Sequence, residues 1–352
     1  MHSPFFTTMS GSLSLSERVR CFARELGFDL TGIARAEPLT REGDYLDTWL
    51  RAQMHGDMSY LARNPQRRID PSLVLPGCRS VIVVAMNYFH PHYRVENPQG
   101  AKISRYAWGN DYHTVLGTRL RRLEQFISSM DTRSQCRSFV DAGPVLEKAW
   151  AVRAGIGWMG KHTLLVSPDY GSWIFLGVVL TTAELDPDVP ETDRCGDCTR
   201  CLNACPTGAI SHPYRLDARA CIAYRTIAWK GENTVGLDKE DYGNWVFGCD
   251  ICQETCPWNT DTVPSLHPEF APRASVLSTT LEELAQLDEK EFRARFKGTP
   301  IARAGFRILK RNTRLILRQR SMKTQDPPAQ NKAGNKIWNT GQSSSSGQVQ
   351  PV

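Results

Sequence analysis

The stretch CGDCTRCLNACP, Cys195 to Pro206, packs four cysteines into twelve residues, and CDICQETCPWN, Cys249 to Asn259, adds three more. The first run reads C-x2-C-x2-C-x3-C-P, the spacing in which three thiolates hold one [4Fe–4S] cube and the fourth crosses to a second. The second run reads C-x2-C-x3-C-P, and Cys221 between the two supplies an eighth sulfur. The crossover then assigns Cys195, Cys198, Cys201 and Cys256 to cluster 1, and Cys205, Cys221, Cys249 and Cys252 to cluster 2. Paired zinc sites are the alternative, since C-x2-C also binds zinc. A third cysteine three residues after the pair, then C-P, suits a cube better. The runs predict a ferredoxin-like two-cluster module over residues 186–265. Two adjacent cubes pass electrons singly, so the substrate chemistry belongs elsewhere in the chain.

A chain of 352 residues with 41% hydrophobic content holds far more than such a module needs. Eight of its eleven cysteines lie between Cys195 and Cys256, whereas a secreted disulfide scaffold is shorter and spreads its cysteines. Cys21, Cys78 and Cys136 have no partner at ligand spacing and read as small buried hydrophobes. No signal-peptide pattern opens the chain, and the apolar run Trp173 to Leu180 is shorter than the ~20 residues of a membrane span. A cytoplasmic protein with no membrane partner is expected.

Residues 1–12 read as a flexible leader. Ser14 to Glu17 forms a capping box opening a helix to Leu26, and Gly27 stops it before a strand at Leu30 to Ala34. RSVIVVAMNYF (79–89) reads as a buried strand, Tyr112 to Met130 as a helix, SFVDAG (138–143) as a short strand, and Pro144 to Ala154 as a proline-started helix. HTLLVSP and SWIFLGVVLTT read as two strands joined by a turn at Asp169 to Gly171. The fold class expected is mixed α/β (α+β), with an α/β domain over 13–185. After the cluster module comes a helical segment, 266–319, then a low-complexity tail, 320–352, expected to be disordered. From Phe292 to Gln325 no acidic residue interrupts eleven Lys and Arg, a pattern that favours an anionic partner.

YLARN (60–64), ISRYAWGNDYH (103–113), FVDAGPVLEKAWAVRAGIGWMGKHTLLVSPDYGSWIFLG (139–177), the two cysteine runs and GTPIARAGFRILKRN (298–312) together closely resemble the epoxyqueuosine reductases. The resemblance runs in order from about Leu13 to Asn312. It implies cobalamin bound by an N-terminal domain similar to that of reductive dehalogenases and reduced to cob(I)alamin through two [4Fe–4S] clusters. The implied reaction is reduction of epoxyqueuosine to queuosine at the wobble position of tRNA, the last step of queuosine synthesis. The partners implied are a tRNA with a queuosine-type anticodon and an external low-potential electron donor, and a monomer is expected. One departure follows Asn312: the family usually continues into an apolar helix, whereas TRLILRQR here runs quickly into the polar tail.

Opening an epoxide and removing its oxygen takes two electrons and an acid. Asp141, at the end of SFVD before a Gly-Pro turn, is the expected proton donor, and a carboxyl desolvated against a corrin would have a raised pKa. The plainer reading makes it a cap for the helix at Pro144. Tyr106, Lys161 and His162, in matching motifs, are candidate cobalamin contacts, as is Arg63 after YLA. The glycines of GIGWMG (155–160) follow a helix and precede a strand, the wrong order for a dinucleotide loop. Arg307, Lys310, Arg311 and Arg314 are the candidate tRNA phosphate contacts, against the plainer reading of a solvated helix face. The rival functions are a corrinoid reductive dehalogenase acting on a small molecule and a plain two-cluster electron-transfer protein.

Overall fold

The computed structural model describes residues 13–91, 100–231 and 242–325. The expected leader and the tail from residue 326 lie outside them. Ser14 accepts from Glu17 N while the Glu17 side chain bonds Ser14 N, so the expected capping box opens the helix Leu15–Glu25. Gly27, at φ 83, ends it. That helix buries Ser16, Val19 and Ala23. Cys21 falls between these positions and is exposed, contrary to the buried role expected of it, because helical spacing puts it on the solvent face.

The centre is a four-stranded antiparallel sheet in the order β1 (Leu30–Arg35), β2 (Ser80–Asn87), β7 (Ile174–Thr181), β4 (Cys136–Phe139). All eight residues of β2 are buried, which requires cover on both faces. Ile82, Val84 and Met86 enter a core with Leu116, Leu120, Leu123 and Ile127 of the helix Tyr112–Met130. Val81, Val83 and Ala85 alternate into a second core with Ala149, Trp150 and Ala151, the period-two division that a strand imposes.

Three expected elements differ in extent. β4 ends at Phe139 rather than Gly143, where its pairing with β7 stops at Val178. The next helix starts at Glu147, not Pro144. The expected turn is closed by a bridge between Ser167 and Gly171, but the strand before it is only Leu165–Val166 (β6) and pairs with Trp158–Met159 (β5) in GIGWMG.

A third core joins Ile103, Ala107 and Trp108 to Trp245, Val246 and Phe247 and to Phe292, Phe296, Leu309, Leu315 and Ile316. β8 (Trp245–Phe247) also pairs in parallel with β3 (Lys102–Ile103). The last helix runs from Phe306 to Gln325, into the stretch expected as tail. It buries Leu315 and Ile316 of TRLILRQR, so the polar reading of the chain after Asn312 missed an apolar face. No described helix is long and apolar enough to cross a membrane.

Candidate active site and cluster ligands

Two short helices, Arg200–Ala204 and Ile251–Glu254, carry Cys201 and Cys252. Each is followed by a cysteine in extended backbone, Cys205 (φ −70, ψ 110) and Cys256 (φ −73, ψ 126), because the next residue is proline and disfavours helix before it. The structure brings the eight thiols together in two sets. Cys256 has Cys195, Cys201 and Cys198 as electrostatic neighbours, while Cys252 has Cys249, Cys221 and Cys205. Burial pushes the Cys249 thiol up to about 12 and Cys256 up to about 11, and neighbouring sulfurs add to it. Crowded buried thiols resist ionisation, and iron compensates the charge when they act as thiolate ligands. Cys195, Cys198, Cys201 and Cys256 line a cavity of about 230 Å³ with Lys161, His162, Arg194 and Trp258. Among the described residues no three His, Cys, Asp or Glu side chains close on a single-ion point. Four sulfurs around such a space fit a cube, in which each iron takes one protein sulfur.

A buried amide network docks these loops on the sheet. Gln253 Nε2 donates to Ser172 O (3.0 Å), Asn259 Nδ2 to Ser172 Oγ (2.8 Å), and Ser172 N to Asn259 Oδ1 (2.7 Å). Gly171 is required beside it, since a Cβ there would stand 2.0 Å from Asn259 Oδ1. Asp250, fully buried between Cys249 and Cys252, accepts from Ser104 Oγ and from Arg105 N (2.9 Å).

Asp141 lies where the end of β4 meets the start of the helix Tyr112–Met130. Its φ of 56 is in the left-handed region, uncommon outside glycine. Glu147 Oε1 holds that turn by accepting from Asp141 N at 2.6 Å. Asp141 therefore caps nothing; the first residue of the following helix reaches back to it. Tyr112 Oη donates to Asp141 Oδ2 at 2.5 Å, His113 Nε2 stands 3.6 Å from the same oxygen, and His113 Nδ1 bonds Asp111 Oδ1 at 2.7 Å. Burial alone would lower the His113 pKa, but the bonds to Asp111 and Asp141 outweigh it and raise it to about 9.

The His113 bond in turn holds the Asp141 carboxyl below its usual range, against the opposing effect of burial and with help from Tyr112. This corrects the raised pKa expected of Asp141: its side chain is 61% exposed and faces an imidazolium. Burial and the Asp141 charge instead lift Glu147 to about 8. Neighbouring groups with pKa values pushed apart are the arrangement that acid–base chemistry uses.

Tyr106 is half-buried, packs edge-on to Tyr112 at 6.2 Å, and has both Asp141 and Asp250 among its electrostatic neighbours. Lys161 and His162 lie instead in the cavity of Cys195, Cys198, Cys201 and Cys256, where Lys161 Nζ donates to Gly196 O and to Cys198 O (3.1 Å). Arg63 is exposed, and the arginine that reaches the Asp141 turn is Arg68, through Gly143 O (3.1 Å) and Tyr60 O (3.2 Å).

Of the four basic candidates, Arg307 and Arg314 are exposed. Lys310 donates to Leu287 O, and Arg311 donates to the carbonyls of Trp229, Gly231 and Arg225 while lying 4.5 Å over the Trp229 ring. Arg303, outside these four, is exposed and has Asp111 and His113 of the acid corner as electrostatic neighbours. Sequence reasoning missed Tyr112, His113, Glu147 and Arg68. The first two stand in the quoted NDYH motif, whereas nothing in its spacing marks Glu147.

Two sets of four thiols on an antiparallel α/β core define an iron–sulfur oxidoreductase, and residues 194–259 match the 4Fe-4S double cluster binding domain. Residues 68–142 match the model described as Epoxyqueuosine reductase QueG, DUF1730. The epoxyqueuosine reductase of Synechocystis sp. is 43% identical over 273 residues, covering 77% of this chain and 94% of that protein. That of Gloeobacter violaceus is 43% identical over 305 residues, covering 85% and 95%. The chain belongs to the epoxyqueuosine reductase family. A solved epoxyqueuosine reductase with an epoxyqueuosine-modified tRNA-Tyr stem loop superposes with a TM-score of 0.80 at 32% identity, covering 87% of this chain and 81% of that one. The Bacillus subtilis enzyme, solved with its catalytic aspartate loop swung out of the active site, gives 0.77 at 31%, with the same coverage.

Proposed function

We propose that this protein reduces epoxyqueuosine to queuosine at the wobble position of tRNA. It works as a cytoplasmic monomer fed by an external low-potential donor, with cobalamin and two [4Fe–4S] clusters as cofactors. The observation that carries the reading is the position of Tyr106: its ring packs edge-on against Tyr112, which donates to Asp141, and on its other side it meets Gly248, the residue before cluster ligand Cys249, where a Cβ would stand 3.4 Å from Tyr106 Cε1. Acid and electron source thus meet at one residue. The residues there suit a corrin: the exposed ring of Tyr60 and the half-buried ring of Tyr106 would lie against its flat face, and the carboxylates and hydroxyls would meet its amide edge. When bound, cobalamin supplies a strong two-electron reductant on one side of the epoxide. On the other side Asp141 passes on the proton it shares with His113, Tyr112 aims its carboxyl, and Glu147 fixes the turn that presents it. Residues 13–185 form the cobalamin part, 186–265 the cluster module and 266–319 the tRNA-facing segment. A strain lacking the gene tests this reading: its tRNA should accumulate epoxyqueuosine in place of queuosine, and normal queuosine content would overturn it.

RNA contact falls to the exposed cations. Arg307→Ala and Arg314→Ala should each flatten the slope of log binding against log salt by about 0.7–0.9. Arg311→Ala should lower the melting temperature instead, because that side chain holds three carbonyls. An unchanged salt slope in the Arg307 and Arg314 variants would return this face to simple solvation.

A further inference from the structure

His162 lies in the loop between β5 and β6, and only 4% of it is exposed. Its Nδ1 accepts a hydrogen bond from Leu164 N at 3.2 Å. A backbone amide can only donate, so Nδ1 carries the lone pair and the ring's hydrogen sits on Nε2. Nε2 is buried with no partner in the protein, and the ring lines the cavity bounded by Cys195, Cys198, Cys201 and Cys256. A buried N–H left without an acceptor is costly, and native structures rarely tolerate one.

The local sequence is shaped around this ring. Thr163, at φ 67, turns the chain back so that the next amide meets Nδ1. Gly160 leaves room for the imidazole: a Cβ there would stand 2.7 Å from His162 Cε1 and 2.9 Å from Val166 Cγ2. Gly157 lets β5 approach β6, since a Cβ there would lie 2.1 Å from Val166 O. Two of the three glycines of GIGWMG, Gly157 and Gly160, thus serve the placement of His162. The neighbouring cations are engaged elsewhere: Lys161 bonds Gly196 O and Cys198 O, and Arg194 bonds Glu191 at 2.8 Å.

We propose that His162 donates its Nε2–H to a sulfur of the cluster held by Cys195, Cys198, Cys201 and Cys256, and so raises that cluster's reduction potential. The proposal rests on the reading that these four thiols hold a cube. Hydrogen bonds to sulfur draw off negative charge and favour the reduced, more negative cluster; they are among the levers that set such potentials. His162 is a positioning and tuning residue for electron delivery, not a group that touches the substrate.

The test is an EPR-monitored redox titration of anaerobically purified protein, in the wild type, His162→Phe and His162→Gln. Phenylalanine keeps the ring and removes the donor, whereas glutamine retains an N–H. At the wild-type midpoint of this cluster, the reduced-to-oxidised ratio should fall about tenfold in His162→Phe, a shift of about 59 mV for one electron. The other cluster should keep its potential, and His162→Gln should recover part of the shift. Iron near the wild-type content with both midpoints unmoved would overturn the proposal. Pulsed EPR on reduced wild-type protein labelled with ¹⁵N-histidine decides the matter even if a variant fails to load: imidazole coupling to this cluster is expected, and its absence overturns the role of His162. Zinc in place of iron in the wild type would instead sink the underlying cluster assignment.

Discussion

Asp141→Asn is expected to lower single-turnover reduction of epoxyqueuosine by about 10²–10⁴-fold, the usual contribution of a general acid, while iron content and cobalamin binding stay at wild-type levels. Asparagine keeps the size of the side chain and an oxygen for the Tyr112 hydroxyl at 2.5 Å, but it has no acidic proton. The geometry explains how a carboxylate held below its usual range can still serve. His113 and Asp141 titrate as a pair, and the pair retains a proton up to the His113 pKa of about 9. Wild-type turnover should accordingly fall as pH rises through about 9, where His113 loses its proton. Removing the Asp141 charge takes away one of the supports of the imidazolium, so in the variant that pKa moves down. A near-wild-type rate would mean that another group donates the proton. Loss of cobalamin binding would make Asp141 a cofactor-site residue instead.

Cys205→Ser should abolish turnover and halve the iron, from about eight per chain to about four, by removing the cluster whose other thiols are Cys221, Cys249 and Cys252. Although it closes the run that begins at Cys195, Cys205 has the distant Cys249 and Cys252 as electrostatic neighbours. Cys249 follows Gly248, which meets Tyr106, so on the proposed reading loss of this set should cut delivery at the corrin side. EPR should show the Cys195, Cys198, Cys201 and Cys256 cluster intact. Loss of that cluster, with the other retained, would contradict the division of ligands.

Elements with local signals are legible from sequence. The capping box of Ser14 and Glu17, the helix Tyr112–Met130 and the buried run of β2 each carry their signal within a few residues, and the structure has all three. The cysteine runs are legible because C-P spacing is itself a backbone constraint. What escapes the sequence depends on distant parts meeting. β4 stops short because its pairing with β7 ends and Asp141 takes a left-handed turn. The Asp141 site joins a strand end to a helix start 29 residues away in sequence, and no periodicity announces that. Arg311 looks like any other cation in a basic run, yet the carbonyls of Trp229, Gly231 and Arg225 converge on it from 80 to 86 residues away. His162 reads from sequence as a corrin contact, and no spacing announces that the fold also sets it in the cavity of Cys195, Cys198, Cys201 and Cys256.

The central claim is that acid, cofactor and cluster electrons act together on one modified base. Its most direct test is a single-turnover reaction of the purified, cluster-loaded protein with an epoxyqueuosine-containing anticodon stem loop under a low-potential reductant, with nucleosides read by mass spectrometry. The account predicts queuosine when cobalamin is present and none when it is withheld. Equal conversion without cobalamin, or no conversion with both clusters and cobalamin in place, would contradict it.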